Sequence, residues 1–420
     1  MTVTGSIAQL DGAKVVIEEG GQLMSYFNYF IKGSIKTSVN AWNPDASDKG
    51  WYAISSPMYA IKFSYVVNLT NDTYNVYRYN ETTMTWENCQ NSVNQFDEFA
   101  VGRGYLYRRN SDATLDFDYY FYNTYAEYRL SNAASNSDLR GFNLIGNPYP
   151  HNIYKGNGTA IPNTYLKEGF YTLQTSGVWK PETDNSTVIK PCQAILVQAL
   201  STVVDNILYI ENTMSNGAAK DYADRIRFSV TNSEYEDVAY AVFKEGEGLN
   251  KIEHRNEDAP MLYIRNKDED CAIADIDDVT KTFGLHFKAA TTGKYTLTFN
   301  AEGDFSYLHI IDKLTGDDVD MLVENEYSFI GSPVDDVERF VVSYEFSENS
   351  DISDNTVFAY QSGDDIVVCG EGTLQVFDIT GRMVSTQRVN GVETLRKPSQ
   401  GVCIFRLLGK DVKTQKLLIK

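Results

Sequence analysis

The sequence predicts an all-β protein, a tandem of antiparallel β-sandwich and jelly-roll modules that ends in a small immunoglobulin-like sandwich. Three features carry that expectation. Short alternating or apolar runs rich in Val, Ile, Tyr, Phe and Thr recur along the chain, and such runs suit a pleated surface with one or both faces buried. Gly, Asn, Asp and Pro separate them, supplying the backbone conformations that tight turns need. No window sustains an apolar stripe at helical spacing over three turns, and Tyr222 to Phe228 offers one turn at most.

The 420 residues are 42% hydrophobic and 13% aromatic, enough to fill several cores, at the usual size of about 100–200 residues per domain. No stretch approaches the ~18 uninterrupted apolar residues of a membrane span. A net charge of −20 and a pI near 4.6 repel a polyanion, and no basic stripe could neutralise successive phosphates, which excludes nucleic acid as a partner. The charge is uneven: −4 over residues 1–210, −17 over 211–350 and +1 over 351–420. Those steps suggest distinct zones.

Residues 1–39 read as short strands with Gly turns, among them Val15 to Ile17, either the last rungs of a β-solenoid or an edge strand of the next domain. The opening MTVTGSIAQL lacks a basic stretch followed by an apolar core, so it is no signal peptide. A secreted protein of this sequence is expected to have further residues upstream.

Residues 40–215 contain a duplication. Gly50 to Tyr59 (GWYAISSPMY) is echoed by Gly141 to Pro150 (GFNLIGNPYP) at an offset of 91. The runs ending at Trp86 and Trp179 are 93 apart, and Gly104 aligns with Ala194 at an offset of 90. Each copy leads an apolar strand into a proline turn, then a hairpin with a tryptophan, then another apolar strand. Such copies would form two halves of one sandwich or two small sandwiches.

Residues 216–348 carry eight runs, RIRFSV, DVAYAVF, PMLYIR, TFGLHF, GKYTLTF, YLHIIDKLTG, EYSFI and RFVVSYEF, that suggest a jelly-roll-like sandwich. The polar linker Ser347 to Asn355 closes the zone. From 355 to 420, VFAY, DIVVC, TLQVFDI, MVSTQRV, VCIFRLL and KLLIK supply the strands of an immunoglobulin-like sandwich, with Gly381 giving the left-handed position of a hairpin after Asp378.

In this last zone LQVFDITGRMV, GVCIFRL and the terminal KLLIK together resemble the type A C-terminal sorting domain of the type IX (Por) secretion system. The pattern is carried by Asp378, Gly381, Arg382, Gly401, Lys416 and Lys420. Cys403 stands where the family usually has tyrosine, a departure that bears on packing. The resemblance implies passage across the outer membrane of a Gram-negative bacterium, with the secretion machinery as partner of residues 355–420 and the outer cell surface or the medium as destination. Segments upstream look like those that accompany such domains in adhesin-like surface proteins.

Catalytic signatures are scarce. The sequence has no GxSxG, HExxH or GxxxxGK[ST] motif, and His151, His254, His286 and His309 lack mutual metal-binding spacing. Cys89, Cys192, Cys271, Cys369 and Cys403 form no CxxC pair; they read as small residues of strands, with Cys369 and Cys403 the one pairing to check. No cofactor is called for, though Asp268, Asp270, Asp275 and Asp277 sit in an acidic run that could hold calcium. All four tryptophans and 20 of 29 tyrosines lie in residues 1–210, with a dense run at Tyr119, Tyr120, Phe121, Tyr122, Tyr125 and Tyr128. Because alternate strand residues face opposite ways, Tyr120 and Tyr122 should oppose Tyr119 and Phe121. An exposed set would be a contact surface for a glycan or a host protein. The sequence thus favours a non-catalytic surface module, with a carbohydrate-active enzyme and a structural spacer as rivals.

Overall fold

The computed structural model describes residues 13–24, 30–42, 50–135, 139–183, 187–213, 224–276, 281–347, 358–363, 365–398, 400–409 and 412–419. Their secondary structure is β throughout, apart from a three-residue 3-10 turn at Phe63–Tyr65. Arg225–Thr231, where the sequence allowed a helical turn up to Phe228, is a strand. Ile226, Phe228 and Val230 alternate inward while the strand pairs with Glu236–Phe243 on one side and Gly293–Glu302 on the other. Two-sided pairing decides its conformation.

The chain divides into two compact units, Met1–Glu345 and Phe346–Lys420. The expected boundaries near 39 and 215 therefore fall inside the first unit. One core explains why: Trp51, Leu106 and Leu196 from the duplicated region pack with Val238, Leu249 and Ile273 of the following zone.

The duplication is visible in the topology. Strands Tyr52–Ile54, Tyr105–Arg109, Tyr74–Asn80 and Thr85–Asn88 lie side by side in that order; Phe142–Gly146, Ala194–Gln198, Phe170–Leu173 and Trp179–Glu182 repeat it. The two sheets meet through reciprocal bridges, Ile54 to Gln193 and Arg103 to Ile145, in which each residue's counterpart takes the opposite role. Equivalent residues also face each other. A Cβ on Gly146 would lie 2.3 Å from that of its counterpart Ser55, and one on Gly104 2.6 Å from that of its counterpart Ala194. Residues that meet their own equivalents mark a two-fold axis, so the copies are related as the subunits of a C2 dimer are.

Each sheet then covers its outer face separately. Tyr105 and Tyr107 join Ile35, Phe117 and Phe121 in one core, while Ile145, Ile195 and Val197 join Ala126 and Leu208 in another. Val15–Ile17 is an edge strand, parallel to Lys32–Val39, which in turn pairs with Ala113–Tyr120.

All eight strands expected after residue 216 are present, and Glu269–Ile276 adds another. With two short strands they form a single eleven-stranded sheet from Asp318–Asp320 at one end to Glu326–Gly331 at the other. The sheet curls until its ends meet. Phe329 lies 5.1 Å from both Phe287 and Phe340, and the buried Arg339 guanidinium donates to Asp312 at 2.7 Å and to the Ile330 carbonyl at 2.7 Å.

The second unit is one five-stranded sheet, with Asp365–Asp378 hydrogen-bonded to Ala359–Ser362, Met383–Arg396 and Gly401–Leu408, and Val412–Ile419 beyond the last of these. It folds over a core of Phe358, Ile366, Val376, Cys403, Phe405 and Ile419. Gly372, at φ 149°, lets the chain pass where a Cβ would lie 2.4 Å from the Leu408 carbonyl oxygen.

Candidate functional site

The tyrosine run lies on the last residues of Ala113–Tyr120, the segment after it and the strand Ala126–Arg129. Its members divide between two cores and the surface. Phe121 is wholly buried, and Tyr119 packs against the same core; Tyr122 and Tyr128 pack against the second core. Tyr120 and Tyr125 are exposed. Tyr119 and Phe121 thus turn to one core while Tyr120 and Tyr122 turn away from it, Tyr120 to solvent and Tyr122 to the second core.

The exposed rings join others that the run did not reveal. Phe30, 63% exposed, lies 5.0 Å from Tyr59 and 6.2 Å from Tyr120. Tyr59 continues to Tyr122 at 4.8 Å and Tyr122 to Tyr149 at 6.3 Å. Tyr125 pairs separately with exposed Tyr209 at 5.6 Å. This is a surface shelf of rings anchored at its buried end, the Tyr59 hydroxyl donating to Asn123 Oδ1 at 2.8 Å. Sequence proximity located Tyr120 and Tyr125, and only the fold supplies Phe30, Tyr59 and Tyr209.

A cleft of about 560 Å³ opens elsewhere in the first unit, where the first-copy hairpin faces the curled sheet. Tyr79, Met84 and Trp86 form one wall, and Met261, Tyr263 and Lys288 the other. Trp86 is half-buried, whereas its repeat counterpart Trp179 is almost wholly covered. Tyr79 packs tilted against Trp86, their ring centroids 4.9 Å apart.

The cleft floor, residues 251–255, is held from below by a buried carboxylate. Asp237 accepts from Lys251 Nζ at 2.7 Å and from the Val238 and Leu262 amides at 2.8 and 2.6 Å. His254 Nδ1 accepts the Trp179 amide at 3.2 Å, which leaves the ring proton on Nε2. That atom lies 3.3 Å from Asp237 Oδ1 but is not aligned as a hydrogen bond. Burial alone would raise the Asp237 carboxyl; Lys251 and His254 outweigh it and hold it at about 2. Burial also pulls the Lys251 ammonium below its ordinary value against the pull of Asp237. With three donors on the carboxylate, the pair is ionised at neutral pH and its charges cancel beneath the cleft.

Among its described residues the acidic run does not bring calcium ligands together. Glu269–Ile276 is a strand, so Asp270 and Asp275, five residues apart, face opposite sides. Asp270 pairs with Arg265 at 2.9 Å, Asp268 sits in the preceding turn at φ 67°, and Asp277 lies outside the described residues. No cluster of three or more metal-ligating side chains occurs among the described residues. All five cysteines are free, Cys369 and Cys403 included.

Asp275 instead shows what burial does to a lone carboxyl. A Cβ on Gly246 would come within 2.2 Å of its Oδ2, and burial lifts the group from 3.8 to about 6. Because the folded value exceeds the unfolded one, the associated stability is full below about pH 4 and is lost as pH rises through 6. Asp275→Asn is expected to stabilise the protein at pH 7.5 by about 1–3 kcal/mol and to reduce the fall in urea midpoint between pH 5 and 7.5. An unchanged midpoint at both pH values would contradict the assignment. Asp275 does not line the cleft, so the carboxyl tuned nearest to neutrality is not placed for acid–base chemistry there.

In the second unit the Asp378–Arg382 turn is closed by one side chain. The Asp378 carboxylate accepts from the Thr380 hydroxyl at 2.6 Å, the Thr380 and Arg382 amides at 3.0 and 3.1 Å, and Arg382 Nε at 3.0 Å. The Thr380 hydroxyl first, and then these other donors, hold it at about 2. Gly381, at φ 80°, takes the left-handed position. Gly401, at φ 125°, begins the strand that buries Cys403, and Lys416 is exposed on the last strand; Lys420 lies outside the described residues.

Compared with known proteins, the chain matches no family model, no curated protein and no solved structure. Among the described residues no helix is long and apolar enough to cross a membrane.

Proposed function

We propose that the chain is a non-catalytic binding module of a bacterial cell surface, exported by its C-terminal unit and contacting a glycan or host-protein surface through the aromatic shelf. The shelf is the observation that carries this reading. Phe30, Tyr120, Tyr125 and Tyr209 are large rings left in solvent, with half-buried Tyr59 against Phe30 and half-buried Tyr119 against Tyr120. Rigid exposed rings bind at low entropic cost, and a contiguous exposed patch usually marks a contact site.

Phe30→Ala/Tyr120→Ala is expected to weaken adhesion about tenfold to thirtyfold, as for an aromatic anchor at an interface. A glycan and host-matrix array probed with folded wild type and variant measures it. Equal binding by both would remove the shelf from the mechanism.

The export half of the proposal rests on the sorting-domain resemblance and on the tightly bonded Asp378–Arg382 turn. In a type IX-competent cell the chain behind a periplasmic leader should reach the surface, and the same chain without residues 346–420 should stay in the periplasm. Retention of the folded full chain overturns the export proposal while leaving the shelf testable by itself.

A further inference from the structure

We propose that the cleft between the first-copy hairpin and the curled sheet is a second, independent site, and that it takes a neutral oligosaccharide. The polar groups that the cleft leaves unmet point to this class. Tyr79 and Tyr263 are each only 9% exposed, yet among the described residues neither phenol hydroxyl hydrogen-bonds to the protein. Burial raises both phenols to about 12, so both remain protonated and able to donate or accept. The half-buried Trp86 offers its indole N–H, again without a protein partner among the described residues. Neither hydroxyl is sealed from solvent, so both open onto the cleft as groups that a ligand rich in hydroxyls would engage in place of water.

The apolar surface agrees with the polar groups. Trp86, Tyr79 and Tyr263 present ring faces, with Met84 and Met261 beside them, and a sugar ring presents apolar C–H faces between its hydroxyls. Charge excludes the alternatives. The Lys251–Asp237 pair cancels beneath the floor, and the rim sets Lys288 and Arg255 against Glu253 and Asp270, with Arg255 lying over the Trp51 and Trp86 rings and Asp270 paired with Arg265. A balanced rim favours neither a polyanion nor a cationic peptide, whereas each rim group can bond sugar hydroxyls. The volume, about 560 Å³, lies within the ordinary range of about 300–1,000 Å³ for small-ligand pockets.

The test titrates the full chain with neutral oligosaccharides (gluco-, xylo-, manno- and chito-) and with acidic fragments of polygalacturonate and heparin. Calorimetry is read beside tryptophan fluorescence. One neutral class is expected to bind with an affinity nearly independent of salt from 0.05 to 0.5 M. Trp86→Ala should weaken it about tenfold or more, and Tyr263→Phe, which deletes a single oxygen and leaves the fold alone, about threefold to tenfold. Phe30→Ala/Tyr120→Ala should leave it unchanged, which separates this site from the shelf. The proposal is overturned if no neutral oligosaccharide binds, if only acidic fragments bind in a salt-dependent way, or if Tyr263→Phe and Trp86→Ala both bind as wild type. Loss of binding in the shelf variant alone would likewise transfer the site to the shelf.

Discussion

Asp237→Ala is expected to cost the first unit about 3–5 kcal/mol, because it strands a buried ammonium. Lys251 and Asp237 are both almost completely buried, and no other carboxylate is within ion-pair distance of Lys251 Nζ among the described residues. The alanine variant also removes the acceptor of the Val238 and Leu262 amides. The double variant Asp237→Leu/Lys251→Met should recover much of the loss, since apolar replacement of a buried pair is often neutral or stabilising. Urea unfolding of the two singles and the double measures the coupling. A strictly additive double variant would show that the pair does not act as a unit. Because Asp237 is held below its ordinary 3.8, its contribution is present above about pH 4 and fades as pH falls toward 2.

Arg339→Met is expected to be nearly as damaging, at about 3–4 kcal/mol. The guanidinium bonds both oxygens of buried Asp312, donates to the Ile330 carbonyl and lies 4.3 Å from the Phe329 ring. It therefore ties together strands from the two ends of the eleven-stranded path. Without it Asp312 keeps the Leu314 amide and the Tyr327 hydroxyl but loses its counter-charge. Near-UV circular dichroism at the phenylalanine and tyrosine bands should broaden before secondary structure is lost, as the curled edge loosens first. A cooperative transition with wild-type midpoint would refute this role.

Much of the architecture is legible in the sequence. The offset of about 90 residues predicted two related sheets, and the turn after Asp378 was placed by its glycine. Glu269–Ile276 escaped notice because its first residues are charged, although the next six are buried. Here the polar beginning of the run hid an apolar strand. The tyrosine run suggested a contact surface, yet four of its six residues pack in two cores and the further rings of the shelf come from residues 30, 59 and 209. The cleft was not legible at all. Its walls come from segments nearly two hundred residues apart, and Asp237, Lys251 and His254 have no spacing that any motif would single out. Local pattern reports which face of a strand is apolar; which two faces meet is a property of the folded chain.

The internal two-fold carries a consequence for how the copies diverged. In a dimer of identical chains, a residue on the axis must fit against itself, and any enlargement is introduced twice. Fusing the copies into one chain lifts that restriction: at one contact serine faces glycine, at the other alanine faces glycine. What is constrained is the combined volume around the axis: a Cβ on Gly104 would meet Leu144 Cγ at 2.7 Å as well as Ala194, so a methyl there requires room from both neighbours. The same release reaches beyond the axis. Trp179 is almost wholly covered at the back of the cleft while Trp86 is half-exposed on its wall, so one repeat serves as ballast and its twin is left at liberty to meet the outside world.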